Sequence, residues 1–344
     1  MEKQRTLDEV GEFGLIDILT KNFNTTKSTI KGVGDDCAVL EYSADEYQLV
    51  TTDFLLEGIH FDLVYTPLKH IGYKAVVAGI SDIYAMNGTP KQIMVSIAVS
   101  AKFSVNALEQ LYDGIRTACQ NYKIELIGGD TSASMTGLAI NITAMGTVGK
   151  DKITYRSGAK VTDLICVSGD LGGAYAGLQV LQREKAVYNQ NKDSQPKLAG
   201  YEYVLQRILK PEARFDIVEK LKENNIVPTS MIDITDGLSS ELFHICFDSG
   251  VGCKIYEERV PINEETGTVC AEFNLEPIIP ALHGGEDYEL LFTVPLSAYE
   301  AIKKIKDVAV IGNVVEKEKG LGMISRSGDF IHIKAQGWNT SEKR

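Results

Sequence analysis

Acidic residues recur beside glycine, serine and threonine across the chain, as Gly34-Asp35-Asp36, Thr51-Thr52-Asp53, Ser81-Asp82, Gly128-Gly129-Asp130-Thr131, Asp233-Ile234-Thr235-Asp236-Gly237 and Gly284-Gly285-Glu286-Asp287. Most stand where an apolar run gives way to small polar residues, the pattern of a strand ending in a loop or helix. Strand ends of α/β folds are where ligands bind. If these carboxylates converge, each pair of like charges about 4 Å apart repels by roughly 4 kcal/mol at an effective dielectric of about 20. Cations among them remove that cost, and hard oxygen ligands select Mg²⁺. Mg²⁺ usually binds together with substrate phosphates. The chemistry expected is that of an Mg-ATP enzyme.

Each motif also has a structural alternative. Ile71, Ala75 and Ala78 follow the spacing of a buried helical stripe, and Asp82 falls next on it. A carboxylate there must be paired or metal-bound; a structural ion pair or a helix-end cap carries equal weight. Gly79 and Ser81 would let a backbone or a phosphate come close. Asp236 stands where an N-cap is expected, before a helix carrying Leu238, Leu242 and Ile245 on one face. Asp233 has no such local role. Gly128-Gly129-Asp130-Thr131 reads as a strand-to-loop turn after Ile124–Ile127, able either to cradle phosphate and metal or to cap itself. Ser168-Gly169-Asp170-Leu171-Gly172-Gly173 reads as tight strand–helix packing, and His60 beside Phe61 as a hydrogen-bonded structural residue. Gly-x-Ser-x-Gly, His-Glu-x-x-His, Walker A and protein-kinase signatures are absent from the sequence.

The elements that must position these residues alternate. Strands are expected at Ala38–Leu40, Gln48–Thr52, Ile93–Val99 and Leu138–Val148, with helices at Gly14–Lys21, Leu68–Met86 and Val105–Asn121. A turn at Gly149-Lys150-Asp151-Lys152 marks the expected domain boundary. Beyond it come strand Leu164–Ser168, helix Ala174–Gln182 and a solvated loop over Glu184–Lys197. Helices Arg214–Asn224 and Ser239–Asp248 and strands Leu290–Val294 and Val308–Gly312 follow. This alternation predicts two α/β or α+β domains with a ligand cleft between them.

The length of 344 residues suits two domains. A net charge of -12 argues against nonspecific nucleic-acid binding, which needs a basic surface. Six scattered cysteines without a Cys-x-x-Cys pair are expected to be reduced core residues. No apolar stretch has the length of a signal core or a membrane span, so a cytoplasmic location is expected.

Taken in order, these motifs resemble the thiamine-monophosphate kinase family, within the superfamily of aminoimidazole ribonucleotide synthetase. The resemblance runs from Gly11-Glu12-Phe13 almost to the C-terminus, and Thr51-Thr52-Asp53…Glu57-Gly58-Ile59-His60-Phe61 marks this branch. It implies a two-domain α/β (α+β) fold, with residues 1–150 forming an ATP- and metal-binding domain whose sheet dimerises. Residues 151–344 would complete the active site of a homodimer. The implied reaction is ATP-dependent phosphorylation of thiamine monophosphate to thiamine diphosphate, with several Mg²⁺ ions. Carried over, Asp36, Thr51, Thr52, Asp53, Asp82, Asp130, Asp233 and Asp236 would ligate metal, with Asp82, Asp130 and Asp233 as the catalytic carboxylates. Gly129, Asp130, Arg156 and Thr235 would contact the nucleotide, and His60, Glu286 and Trp338 the acceptor. The chain departs from the pattern at Gly79, where Asn is frequent, at Asn87-Gly88, at Thr235 in place of Ser, and in lacking a His-Phe ending after Trp338. Two further readings stay open, a ring-closing ligase of the same superfamily and a non-catalytic binder of thiamine phosphates.

Overall fold

The computed structural model describes residues 7–334. Alternating side chains build its first sheet. In β6 (Ala139–Gly149), Ile140, Ile142 and Ala144 are buried while Asn141 and Thr143 between them are half-buried, so one face is covered and the other open. Around it lie β1 (Thr29–Lys31), β2 (Ala38–Leu40), β3 (Glu46–Leu56), β4 (Thr89–Val99) and β5 (Glu125–Ala133), in the order β1-β2-β3-β6-β4-β5. All pairs are antiparallel except β4 with the edge strand β5.

Three helices accompany this sheet, α1 (Leu7–Thr20), α2 (Leu68–Ala85) and α3 (Val105–Tyr122). The sequence predicts one apolar stripe on α2, yet fourteen of its eighteen residues are buried. A helix apolar all round must be enclosed, and α2 contacts β3 and β6 on one side and the second sheet on the other. Its crossing with α3 is a backbone contact. A Cβ on Gly72 would stand 2.0 Å from the Leu111 carbonyl oxygen, and one on Gly114 1.9 Å from that of Lys69.

The second sheet has the order β13-β12-β9-β11-β7-β10-β8. Its strands are β7 (Leu164–Ser168), β8 (Ser230–Ile234), β9 (Gly252–Tyr256), β10 (Glu289–Val294), β11 (Val308–Val315), β12 (Leu321–Ile324) and β13 (Phe330–His332), with only β9 and β12 parallel. Every residue of β7, β8 and β10 is buried, since both faces are covered. The helices here are α4 (Gly173–Gln190), α5 (Glu202–Leu209), α6 (Phe215–Glu223), α7 (Leu238–Ser249), α8 (Glu264–Glu272) and α9 (Ile278–His283). One core runs from Leu49 and Ile142 of the first sheet, through α2, to Met231, Leu290 and Phe292 of the second. Glu212 pins the junction, with the hydroxyls of Tyr73 and Tyr122 donating to its Oε2 at 2.6 and 2.7 Å.

Two expectations change. The stretch 184–197 is not all loop: α4 continues to Gln190, because Val180, Leu181 and Glu184 extend its buried face. The helices α5, α8 and α9 and the strands β1, β9, β12 and β13 are not foreseen from the sequence. The glycine run after β7 does pack as foreseen, with a Gly172 Cβ position 2.9 Å from Ala281 N and Asp287 accepting from Gly172 N at 2.8 Å. All six cysteines are free thiols, and five are buried.

Candidate active site

Four carboxylates from four separate elements meet where α2 passes between the sheets. Asp36 precedes β2, Asp53 lies in β3 on the side facing α2, Asp82 in the last turn of α2, and Asp233 in the buried strand β8. Ligand atoms of Asp36, Asp82 and Asp233 all lie within 4.8 Å of one another. Asp82 is doubly disfavoured as an anion. It sits at the negative end of the helix dipole, and the last turn of α2 holds no basic residue.

Electrostatics record the cost. Burial pushes Asp36 up to about 8 despite the Arg156 guanidinium beside it. Burial and the Asp233 charge push Asp53 up to about 7. Burial raises Asp82 well above the usual carboxylate range, with Asp53 adding to it, and raises Asp233 as well. Arg156 donates through Nε and Nη2 to one oxygen of Asp36, at 2.9 and 2.6 Å. Thr51 donates its hydroxyl to Asp82 Oδ2. Among the described residues the buried oxygens Asp36 Oδ2, Asp53 Oδ2 and Asp233 Oδ2 have no partner. A cluster of hard, crowded, unpartnered oxygens fits Mg²⁺ and not a soft metal.

These groups line a cavity of 670 Å³, a size that takes a small-molecule ligand. Leu15, Phe54, Ile59 and Ala78 give it apolar surface, and His60, Thr235, Asp236 and Glu286 polar surface. Asp236 is not the N-cap of α7. Gly237 holds that place at φ 111, without a side-chain cap. The buried Glu241 instead reaches back from the first turn, its Oε1 accepting from Thr235 N and Asp236 N at 3.0 and 2.8 Å. That bond leaves the Asp236 carboxylate to the cavity. Thr235 O accepts from Glu286 N at 2.7 Å, so the end of β8 fixes the Gly284-Gly285-Glu286 turn. In that turn Gly285 has φ 70 and leaves no room for a Cβ, which would lie 2.4 Å from Thr235 O. Asp287, one residue on, turns away to Gly172 N and Arg207 and belongs to the framework. His60 Nδ1 accepts from Leu56 N at 3.0 Å.

Not all expected residues converge. Gly128-Gly129-Asp130-Thr131 is no turn but the middle of the exposed edge strand β5. Asp130 pairs with Ser96 and so shares the open face of the sheet, three strand spacings from β3. At about 4.8 Å per spacing it stands on the order of 14 Å from Asp53, on the opposite face. Thr52 borders the cavity, yet its hydroxyl accepts from Asn141 Nδ2 at 2.9 Å on that open face. Gly79 packs α2 on β6, where its Cβ position is 2.9 Å from Ile142 Cγ2, and is closed to phosphate. Trp338 lies outside the described residues. Sequence reasoning missed Thr51 as the partner of Asp82, Glu241 and Lys74. The last was visible as a single charge in the run Ile71–Ile80.

The AIR synthase related protein N-terminal domain family matches residues 34–148, and the corresponding C-terminal domain family matches residues 163–324. Fold and acidic cleft together thus define the AIR synthase related class. Within it, the chain is 36% identical to the thiamine-monophosphate kinase of Aquifex aeolicus (strain VF5), over 96% of this chain and 98% of that one. It is 31% identical to that of Bacillus subtilis (strain 168), over 95% and 98%. A solved structure, AaThiL complexed with AMPPCP and TMP, superposes with a TM-score of 0.83 at 33% identity, covering 99% of this chain and all of that one. The chain belongs to the thiamine-monophosphate kinase family.

Proposed function

We propose that this protein transfers the γ-phosphoryl group of ATP to thiamine monophosphate, giving thiamine diphosphate and ADP, the last step in making that cofactor. The observation that carries the reading is the cluster of Asp36, Asp53, Asp82 and Asp233, with unpartnered buried oxygens beside a ligand-sized cavity. The acceptor phosphate has a second pKa of about 6, so at neutral pH it is largely a dianion and needs no general base. One of its oxygens attacks the γ-phosphorus in line, and the bond to the β-phosphate oxygen breaks as ADP leaves. Mg²⁺, when bound, supplies the positive charge that lets two anions approach and neutralises charge on the transferring group.

The chain's own residues hold and orient. Asp36, Asp53, Asp82 and Asp233 present the metal-binding oxygens, with Asp236 at the rim. Thr51 fixes the rotamer of Asp82. Arg156 compensates Asp36 and supplies charge for the nucleotide phosphates, beside Thr235. His60, Glu286 and Trp338 receive the acceptor.

Asp130 and Gly129 require a second chain in this scheme. The open face of the first sheet carries Phe54, Leu56 and Met94, and Leu126 and Ile127 lie on the exposed edge strand β5; all five are more than a third exposed. Covering this apolar surface by a homodimer buries it and brings one chain's Asp130 towards its partner's cavity. Residues 1–150 then serve metal binding and dimerisation, and residues 151–344 complete each site. No helix among the described residues is long and apolar enough to cross a membrane, in keeping with a cytoplasmic enzyme.

The test offers ATP and Mg²⁺ with thiamine monophosphate or free thiamine and separates the products by chromatography. Thiamine diphosphate from the monophosphate alone is expected. ATP consumption without diphosphate would point to the ligase reading, and tight binding without turnover to a binder.

A further inference from the structure

Lys74 is the only buried lysine or arginine among the described residues, 2% exposed in the middle of α2. A buried ammonium must be paired and hydrogen-bonded to be tolerated. Its Nζ forms an ion pair with Glu286 Oε2 and donates to the His60 carbonyl at 3.3 Å. Both partners line the cavity, yet they come from distant segments, the loop after β3 and the turn before β10. Glu286 is held on left-handed backbone at φ 60, between Gly285 and Asp287, by its own N–H on Thr235 O. Lys74 is what fixes its side chain. His60 Nδ1 is occupied as an acceptor from Leu56 N, so the neutral imidazole carries its hydrogen on Nε2. Burial lowers the His60 pKa and keeps it neutral. Both residues line the cavity, so its wall offers an imidazole N–H donor and a carboxylate acceptor.

We infer that Lys74 is a positioning residue that sets Glu286 and the His60 loop as a donor–acceptor pair reading the aminopyrimidine end of the acceptor substrate. A 4-aminopyrimidine offers the complement, a ring nitrogen that accepts next to an amino group that donates. This rests on the proposed reading of His60 and Glu286 as acceptor contacts. Without Lys74 the carboxylate rotates freely and the pair loses its register. The ATP side, built on Arg156 and the aspartates, is untouched.

The experiment compares wild type, Lys74→Met and Glu286→Gln with thiamine monophosphate and with the analogue whose pyrimidine amino group is replaced by an oxo group. Wild type should prefer the amino substrate by about tenfold or more in kcat/KM, since a site built to bond a polar group rejects a substrate lacking it. Lys74→Met should raise the KM for thiamine monophosphate about tenfold, bring the preference close to unity, and leave the ATP KM within about twofold. If Glu286→Gln leaves the KM for thiamine monophosphate unchanged, the reading of Glu286 itself fails. If Glu286→Gln weakens it while Lys74→Met keeps the KM and the preference, only the role of Lys74 is overturned. Equal loss on both substrates and on ATP makes Lys74 structural and also overturns it. Should Lys74→Met not fold, Lys74→Gln, which keeps a donor, decides by the same preference.

Discussion

Replacing Asp82 by Asn should stabilise the metal-free protein while destroying its activity. The ligand atoms of Asp36, Asp82 and Asp233 lie within 4.8 Å of one another. At an effective dielectric of about 20, each fully charged pair at that separation repels by roughly 3.5 kcal/mol. Asn keeps the acceptor for the Thr51 hydroxyl and removes the charge. The size of the gain follows pH. Asp36 and Asp53 have folded-state values of about 8 and about 7, above the ordinary 3.8. Between about pH 4 and 8 the folded state therefore binds more protons than the unfolded one, and metal-free stability falls as pH rises. Burial holds Asp82 well above its ordinary 3.8, so Asp82→Asn should come closest to wild type near pH 4, already exceed it at pH 5.5 and exceed it most at pH 8.5. For a chain of 344 residues unfolding as one unit, about 3.5 kcal/mol is roughly 5 °C in Tm. Added Mg²⁺ at about 100 times its Kd should stabilise wild type by about 2.7 kcal/mol, and the variant by much less. Turnover should fall on the order of 100-fold or more. Thermal unfolding in EDTA and in Mg²⁺ at these pH values reads all of this. A variant less stable than wild type in EDTA at pH 8.5, yet stabilised as much by Mg²⁺, would show that Asp82 neither repels its neighbours nor binds the metal.

Asp130→Asn and Asp233→Asn should each fold and lose most turnover. Mixed after subunit exchange, they should regain about a quarter of wild-type activity, because half of the dimers then carry one intact site; no recovery would place Asp130 in its own chain's site or outside it. Gly114→Ala pushes a methyl into the Lys69 carbonyl and should cost about 1–3 kcal/mol, seen as a lower denaturation midpoint with an unchanged KM for both substrates. An unchanged midpoint would mean that the α2–α3 crossing relaxes freely.

Local signals carried much of the fold. The bounds expected for α2 and α3 differ from those observed by a single residue at one end each, because their apolar spacing is continuous and Ser104 caps α3. Asp36, Asp82 and Asp233 were legible as carboxylates at the ends of apolar runs. Gly128-Gly129-Asp130 misled because every residue of the edge strand β5 is exposed, which erases the alternation that marks a strand. Asp236 was read as a cap because the rival capping group, Glu241, acts backwards from within the helix. Lys74 and Glu286 are 212 residues apart, and no local pattern announces such a pair. The only sequence mark of α5 is the short buried face of Val204, Leu205 and Ile208.

Direct, cation-dependent transfer between two anions is tested by a single-turnover reaction of the protein with ATP labelled on the γ-phosphorus and unlabelled thiamine monophosphate. The label should appear in the terminal phosphate of thiamine diphosphate in step with ADP formation, and EDTA should abolish it. Label released as free phosphate, with no labelled diphosphate while ATP is consumed, would rule out direct transfer.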